Sequence, residues 1–112
     1  MLKCYYIAIM NTQTLLLSRE RLQNAAKLLK VLAHPVKLEI LQLLADGSAK
    51  DVSSLCECIG ADCEISMMSH HLSKMKDNGI LKSDKKGKQV FYSVADKSLL
   101  HLFDALNQCE LV

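Results

Sequence analysis

The sequence predicts a mainly α-helical domain that carries one small β-hairpin. Three observations lead to this fold class. Apolar residues recur at helical spacing over most of the chain, residues 66–79 form a helix with one apolar and one polar face, and residues 82–94 have the alternation of a hairpin. A two-faced helix followed at once by a basic hairpin is the order of a winged helix-turn-helix.

Length and composition fit one compact unit. The chain has 112 residues and half of them are apolar, so a core can form without disulfides. The net charge of +2 neither establishes nor excludes nucleic-acid binding. No internal repeat or linker divides the chain, and no apolar run is long enough to cross a bilayer, so we expect no membrane partner.

Residues 1–17 are predicted to be an N-terminal arm or short helix that packs on a partner subunit, and residues 18–112 the folded domain. The arm superficially resembles a secretory signal, but polar residues interrupt its apolar patch and no small-residue cleavage site follows. Met10 is an alternative start to Met1. Without an export signal, we expect a cytoplasmic protein.

Three helices are predicted before residues 66–79, and residues that favour helix ends indicate where each of them begins or stops. Ser18 is a suitable N-cap for the first helix. That helix ends before Pro35, which suits the first position of a second, leucine-rich helix running to Gly47. A third helix, from about Asp51 to Gly60, is predicted to be the first helix of the helix-turn-helix.

The helix over residues 66–79 is predicted to read DNA. Met68, Leu72 and Met75 have the i, i+4, i+7 spacing that buries one side. The opposite side is rich in hydroxyls and imidazole, which both donate and accept hydrogen bonds and so suit base edges in a major groove. Gly79 suits the left-handed position that ends a helix. The polar side carries Ser66, Ser69, His70, Ser73 and Asp77.

The hairpin that follows has a basic tip. Its second strand alternates Val90, Tyr92 and Val94 on one face with Gln89, Phe91 and Ser93 on the other. Lysines cluster around its turn, where they would attract a phosphate backbone without reading sequence. A charged hairpin is often only a solvated loop, but the polar-faced helix directly before it favours phosphate contact. The lysines are Lys82, Lys85, Lys86 and Lys88.

The last predicted helix, which begins at Asp96, is amphipathic. One small domain cannot cover both its apolar side and the apolar N-terminal segment, whereas a second copy can. We therefore expect a homodimer built from the terminal helices. Such a dimer sets two DNA-reading helices about one DNA turn apart and favours an inverted repeat in double-stranded DNA.

Three motifs in this chain resemble those of the ArsR/SmtB family of small bacterial repressors. They are Leu-Ala-His-Pro at residues 32–35, Ser-His-His-Leu at residues 69–72, and Gly-Lys-Gln-Val-Phe-Tyr at residues 87–92. Their order and spacing agree with the family, and the likeness covers about residues 20 to 108. The resemblance implies a dimeric repressor that leaves its operator when a metal ion, arsenite or a thiol-reactive species binds.

The resemblance also assigns DNA contacts. His71 matches a position that usually packs inward, so we expect a structural role for it. The predicted DNA-binding residues are Ser66, Met67, Ser69, His70, Ser73 and Lys74 on the helix, with Lys85, Lys86, Lys88 and Gln89 on the hairpin.

The five cysteines need a separate explanation, because thiols in a reducing cytoplasm stay free unless they bind metal or sense oxidants. Cys56-Glu57-Cys58, with Cys63 in the following turn, resembles the Cys-x-Cys of arsenic- and cadmium-responsive members of the family. Thiolates suit soft ions. The predicted effector site is therefore Cys56, Cys58 and Cys63, with Cys4 or Cys109 as additional thiols and arsenite or a soft divalent metal ion as the effector. No other cofactor is expected.

Two alternatives for the cysteines stay open. Asp51 stands where the family has its first cysteine ligand, and Cys56 and Cys58 point to nearly opposite sides of a regular helix, so Cys56 is alternatively a buried structural thiol. Some relatives sense oxidants or persulfides with a cysteine pair, for which Cys56 and Cys109 are the candidates. The family's other metal site, on the last helix, is not favoured because Ser98 and Cys109 replace histidines.

Two other classes of protein are less favoured. A thiol oxidoreductase would need a Cys-x-x-Cys and a strand-rich pattern, which this sequence lacks, so we expect no enzyme. A winged helix that binds only another protein is the second alternative, since fold does not fix function. DNA affinity that falls steeply with salt and prefers an inverted repeat separates a repressor from such a module.

Overall fold

The structure is a computed structural model that describes residues 16–60 and 62–112. In those ranges the predicted class is confirmed: mainly α-helix with a small antiparallel sheet. The elements are α1 (Arg19–Leu32), α2 (Pro35–Leu43), β1 (Lys50–Asp51), α3 (Val52–Ile59), α4 (Ile65–Asp77), β2 (Leu81–Lys86), β3 (Gln89–Val94), a 3₁₀ turn (Lys97–Leu100) and α5 (His101–Gln108). None of these helices is long and apolar enough to span a bilayer.

The chain divides into two compact units between Lys30 and Val31. The described part of the first unit is mostly α1, whose N-terminus is capped as predicted: the Ser18 Oγ accepts a hydrogen bond of 3.2 Å from the backbone N–H of Arg21. Two leucines of α1 are exposed in the described residues: Leu22 is 55% exposed and Leu29 is 52% exposed. Most of the predicted arm, residues 1–15, lies outside the described residues.

The core belongs to the second unit and is formed mainly by aliphatic side chains and methionines of its helices, together with residues of its strands. Its members that are least exposed to solvent are Ile40, Leu41, Leu44, Leu55, Leu72 and Met75. Pro35 begins α2 as predicted, and the His34 Nδ1 accepts a hydrogen bond from the Val36 N–H at 3.1 Å. Helix α2 ends at Leu43, earlier than the predicted Gly47, which instead adopts a φ of +87° in the turn that follows.

Helices α3 and α4 form the helix-turn-helix. Helix α3 is capped by Asp51, whose Oδ1 accepts a hydrogen bond of 3.1 Å from the Ser54 N–H, and it ends at Gly60. Helix α4 begins at Ile65, and the predicted Gly79, with a φ of +78°, lies in the turn that leads to β2. The predicted two-helix order is confirmed.

The sheet has the order β1-β3-β2, with both neighbours antiparallel to β3. Tyr92 and Val94 of β3 are buried, and they share the face of the half-buried Val90, as the alternation predicted. Strand β1 was not predicted, because a strand of two residues shows no alternation.

Candidate nucleic-acid interface

One side of α4 is exposed and polar, and the other lies in the core. Met68, Leu72 and Met75 are at most 1% exposed, which anchors the helix. This burial fixes the orientation of the opposite side, because residues three and four positions apart share a face. Of the predicted DNA-reading residues, Ser69 is half-buried and the rest are exposed: Ser66, Met67, His70, Ser73 and Lys74.

His71 packs inward from the same helix, as expected. It is 8% exposed, and its ring lies against that of His34 with the centroids 4.8 Å apart. Burial lowers the pKa of His71, and the positive charges of His34 and Lys37 lower it further. Its Nδ1 is buried and has no hydrogen-bond partner among the described residues. The neutral imidazole is therefore a packing element behind the exposed face.

Lys37 of α2 is a basic residue near this face that the sequence did not reveal. It is 7% exposed, and its pKa is lowered by burial and then by the nearby charge of Lys74. A lysine can bury its aliphatic stem and keep its ammonium group near water. The usable signal was the position of Lys37 between the apolar Val36 and Leu38. Lys37 and Lys74 together add positive charge beside α4.

The lysines of the hairpin lie on two faces. In the register of β2 and β3, Lys85 pairs with Val90 and Lys86 pairs with Gln89, and successive residues of a strand point to opposite faces. The Lys86 Nζ is 5.9 Å from the centre of the Phe91 ring, which is on the outer face. Both lysines are exposed, as is Lys88 in the turn. The hairpin therefore presents positive charge on both faces.

Gln89 is held by a contact within the chain. Its Nε2 donates a hydrogen bond of 3.1 Å to the Oδ2 of Asp51, whose other oxygen caps α3. The hydrogen bonds from Ser54 hold the pKa of Asp51 below its ordinary value. A polar groove of about 330 Å³, lined in part by Ser69 and Lys88, lies between α4 and the hairpin. Helix α4 and the basic hairpin thus border one continuous surface.

The cysteines are arranged differently from the prediction. Cys56 and Cys63 form a disulfide with their Cα atoms 5.4 Å apart, so the expectation of free thiols is wrong for this pair. Cys58 is free and exposed, and Cys109 is free and half-buried. The predicted Cys4 lies outside the described residues.

This arrangement does not assemble the predicted three-cysteine site. Cys56 and Cys58 are two positions apart on a helix and point in different directions, whereas the turn brings Cys63 back to Cys56. In residues 16–60 and 62–112, no group of three histidine, cysteine or acidic side chains is placed to hold a metal ion. The alternative pairing of Cys56 with Cys109 is also wrong in this structure, because the Cys56 sulfur is bonded to Cys63.

Comparisons with known proteins agree with this geometry. A family model described as "Helix-turn-helix domain" matches residues 32–84. An HTH-type transcriptional regulator of Methanocaldococcus jannaschii is 35% identical over 94 residues, which cover 78% of this chain and 99% of that protein. The HTH-type transcriptional repressor SmtB of Mycobacterium tuberculosis is 32% identical over 84 residues, which cover 75% of this chain and 60% of that protein.

A solved structure extends the likeness to three dimensions. The crystal structure of the AntR antimony-specific transcriptional repressor superposes with a TM-score of 0.71 at 25% identity, over 86% of this chain and 84% of that one. The sequence and fold comparisons therefore agree on one type of protein.

Proposed function

Because this chain belongs to the ArsR/SmtB family of winged helix-turn-helix transcriptional regulators, which are not enzymes, we propose that it is a homodimeric repressor of the cytoplasm. In this proposal it binds an inverted repeat in double-stranded DNA. The observation that carries it is the exposed polar side of α4, which borders a lysine-rich hairpin across one groove.

Helix α4 reads the bases. A helix fits the major groove, where each base pair presents a distinct set of donors and acceptors. The hydroxyls of Ser69 and Ser73 and the imidazole of His70 supply both kinds of group. Met67 is 50% exposed and offers an apolar contact of the kind that recognises a thymine methyl group. Ser66, in the first turn, completes this reading surface.

The lysines bind the phosphates. Lys85, Lys86 and Lys88 extend from the hairpin, and Lys74 stands beside Lys37 on the helical side. Contacts of this kind fix the position of the protein on DNA but do not discriminate between sequences. The hydrogen bond from Gln89 to Asp51 uses one of the two N–H donors of the Gln89 amide and restrains its side chain, so we assign Gln89 a weaker phosphate contact than the lysines.

The exposed apolar side chains of the terminal helices form the dimer. Leu22 and Leu29 of α1 are more than half exposed, and Leu102, Phe103 and Leu106 of α5 are only half-buried. Exposed apolar surface of this kind marks a protein contact. A twofold axis through such a contact pairs two recognition helices, which matches an inverted repeat.

The effector in this proposal is a thiol-binding metal or metalloid such as arsenite. Reduction of the disulfide would leave two thiols whose Cα atoms are 5.4 Å apart, and the exposed Cys58 lies on the same short helix as Cys56. Soft ions prefer thiolates. The similar AntR is an antimony-specific repressor, which supports a metalloid. The disulfide itself favours a second candidate, a thiol-based redox response.

A binding titration tests the proposal. Fluorescence anisotropy is measured on an inverted repeat from the upstream intergenic DNA and on a scrambled duplex of equal length and composition. A repressor binds the inverted repeat more tightly, with an affinity that falls steeply with salt. Equal, salt-independent affinities for both duplexes would point to a protein-interaction module.

The effector is tested on the reduced protein bound to the inverted repeat. We expect arsenite or cadmium to release the DNA from the wild type and from a Cys109→Ser control. Release should be lost in Cys63→Ser and in a Cys56→Ser/Cys58→Ser variant. Unchanged release in both of these variants would exclude the proposed effector site.

A further inference from the structure

The disulfide spans the turn of the helix-turn-helix. Cys56 lies in α3, and Cys63 stands two residues before Ile65, where α4 begins. The backbone between them leaves α3 at Gly60, whose φ of +128° gives the chain a sharp change of direction. A covalent link across this segment limits the positions that the start of α4 can take relative to α3.

The two sulfurs differ in their access to solvent. Cys56 is 8% exposed, whereas Cys63 is half-buried and lines two cavities. One cavity, of about 370 Å³, is also lined by His34, Met67 and His71. The other, of about 490 Å³, is shared with Cys56. Cys63 is the more exposed of the two cysteines and borders both cavities, so a low-molecular-weight thiol or disulfide can reach it first.

A purely structural role does not explain this bond. Small secreted domains use disulfides because their cores are insufficient, but here the core contains many fully buried apolar side chains. In a reducing cytoplasm, disulfides are usually transient and catalytic or redox-sensing. We propose that Cys56 and Cys63 form a reversible thiol–disulfide site that sets operator affinity through the turn before α4. This inference rests on the proposed DNA-binding function.

The exchange is balanced with a low-molecular-weight disulfide as the oxidant. The Cys63 thiolate attacks one sulfur of the small disulfide, forms a mixed disulfide and releases one small thiolate. The Cys56 thiolate then attacks the Cys63 sulfur, which forms the protein disulfide and releases the second small thiolate. The two protons from the cysteines pass to the two leaving thiolates. The protein dithiol is oxidised, and the small disulfide is reduced to two thiols.

The oxidised form is the one that we expect to bind DNA more tightly. In the disulfide form α4 already exposes its polar side, so less conformational freedom is lost when that side docks. The dithiol form regains freedom in the turn and must lose it on binding. The dithiol form is also the one that can bind arsenite, since a disulfide offers no thiolate.

The experiment uses the full chain equilibrated in reduced and oxidised glutathione at a series of ratios. Free thiols are counted, and anisotropy on the inverted repeat is measured in the same samples. We expect oxidation to remove two of the five thiols per chain and to tighten binding about fivefold to tenfold, with one common midpoint. Equal or weaker binding by the oxidised form would overturn the inference.

The variants locate the effect. Cys63→Ser should bind like the reduced wild type at every glutathione ratio, while the matched controls Cys58→Ser and Cys109→Ser should keep the full response. A response retained in Cys63→Ser would refute the site. Cys56 is buried and its replacement can disturb folding, so the wild type in its two redox states supplies the comparison that needs no substitution. Absence of DNA binding in both states would refute the proposed function instead.

Discussion

Replacing the hairpin lysines by alanine tests the proposal that these lysines bind DNA phosphates independently of sequence. Each phosphate contact by a lysine contributes about 0.9 to the slope of log affinity against log salt concentration. In a dimer, Lys85, Lys86 and Lys88 give six side chains over two hairpins. If all six contact phosphates, the triple variant should lose about 5 from the slope.

The geometry of the hairpin also sets a lower limit for this loss of slope. Lys85 and Lys86 point to opposite faces of β2, so a single DNA strand need not place phosphates in contact with both lysines. With a single contact from each hairpin, the loss of slope is about 2. When salt is raised from roughly 50 to 200 mM, the ratio of wild-type to triple-variant DNA affinity should therefore fall by a factor between about ten and a thousand.

The assay is anisotropy over that salt range on the inverted repeat and on its scrambled control. We expect the triple variant to lose affinity equally on both duplexes, because phosphate contacts carry no sequence information. A charge-matched control replaces Lys27, Lys30 and Lys97, which lie outside α4 and the hairpin. An unchanged slope in the hairpin variant, or a loss confined to the inverted repeat, would refute the assignment.

Three further outcomes are expected. Ser69→Ala and His70→Ala should each reduce the preference for the inverted repeat by about 1–3 kcal/mol without changing the salt slope; an equal loss on scrambled DNA would contradict base reading. Because the pKa of His71 is lowered in the folded protein, the unfolded chain binds more protons than the folded chain as pH falls below 6.5. The free energy of unfolding should therefore decrease there, by at most about 1.4 kcal/mol per pH unit from this group. Urea unfolding between pH 7.5 and 5.5 should show this loss in the wild type and a smaller one in His71→Gln, and identical pH profiles would disprove it. Leu106→Glu should yield monomers in sedimentation, while the exposed control Asn107→Glu stays dimeric; a dimeric Leu106 variant would exclude α5 from the interface.

Much of the fold was predictable from local signals. Proline and glycine favour particular backbone conformations at their own positions. Pro35 therefore indicated where α2 begins, and Gly79 indicated where the chain turns after α4. The exposed side of α4 was predictable for a similar reason, because the spacing of Met68, Leu72 and Met75 alone determines which side is buried.

The features that escaped prediction depend on contacts between distant residues or on burial. The hydrogen bond from Gln89 to Asp51 joins residues 38 positions apart, and no local pattern reveals it. The burial of Lys37 follows from what packs around α2. The bond between Cys56 and Cys63 depends on the path of the turn, whereas the sequence shows only that the two are seven positions apart.

Asp51 connects the hairpin to the helical part of the protein. One carboxylate oxygen caps α3 and the other accepts the hydrogen bond from Gln89, while the backbone of Asp51 pairs with Phe91. A hairpin displaced by a wider or narrower DNA groove therefore pulls on the first turn of α3, the helix that contains Cys56. In the proposed DNA complex, the width of the operator groove would therefore be coupled mechanically to the helix that holds one of the two redox-active cysteines. The same repressor would then respond to a redox signal to different degrees at different promoters.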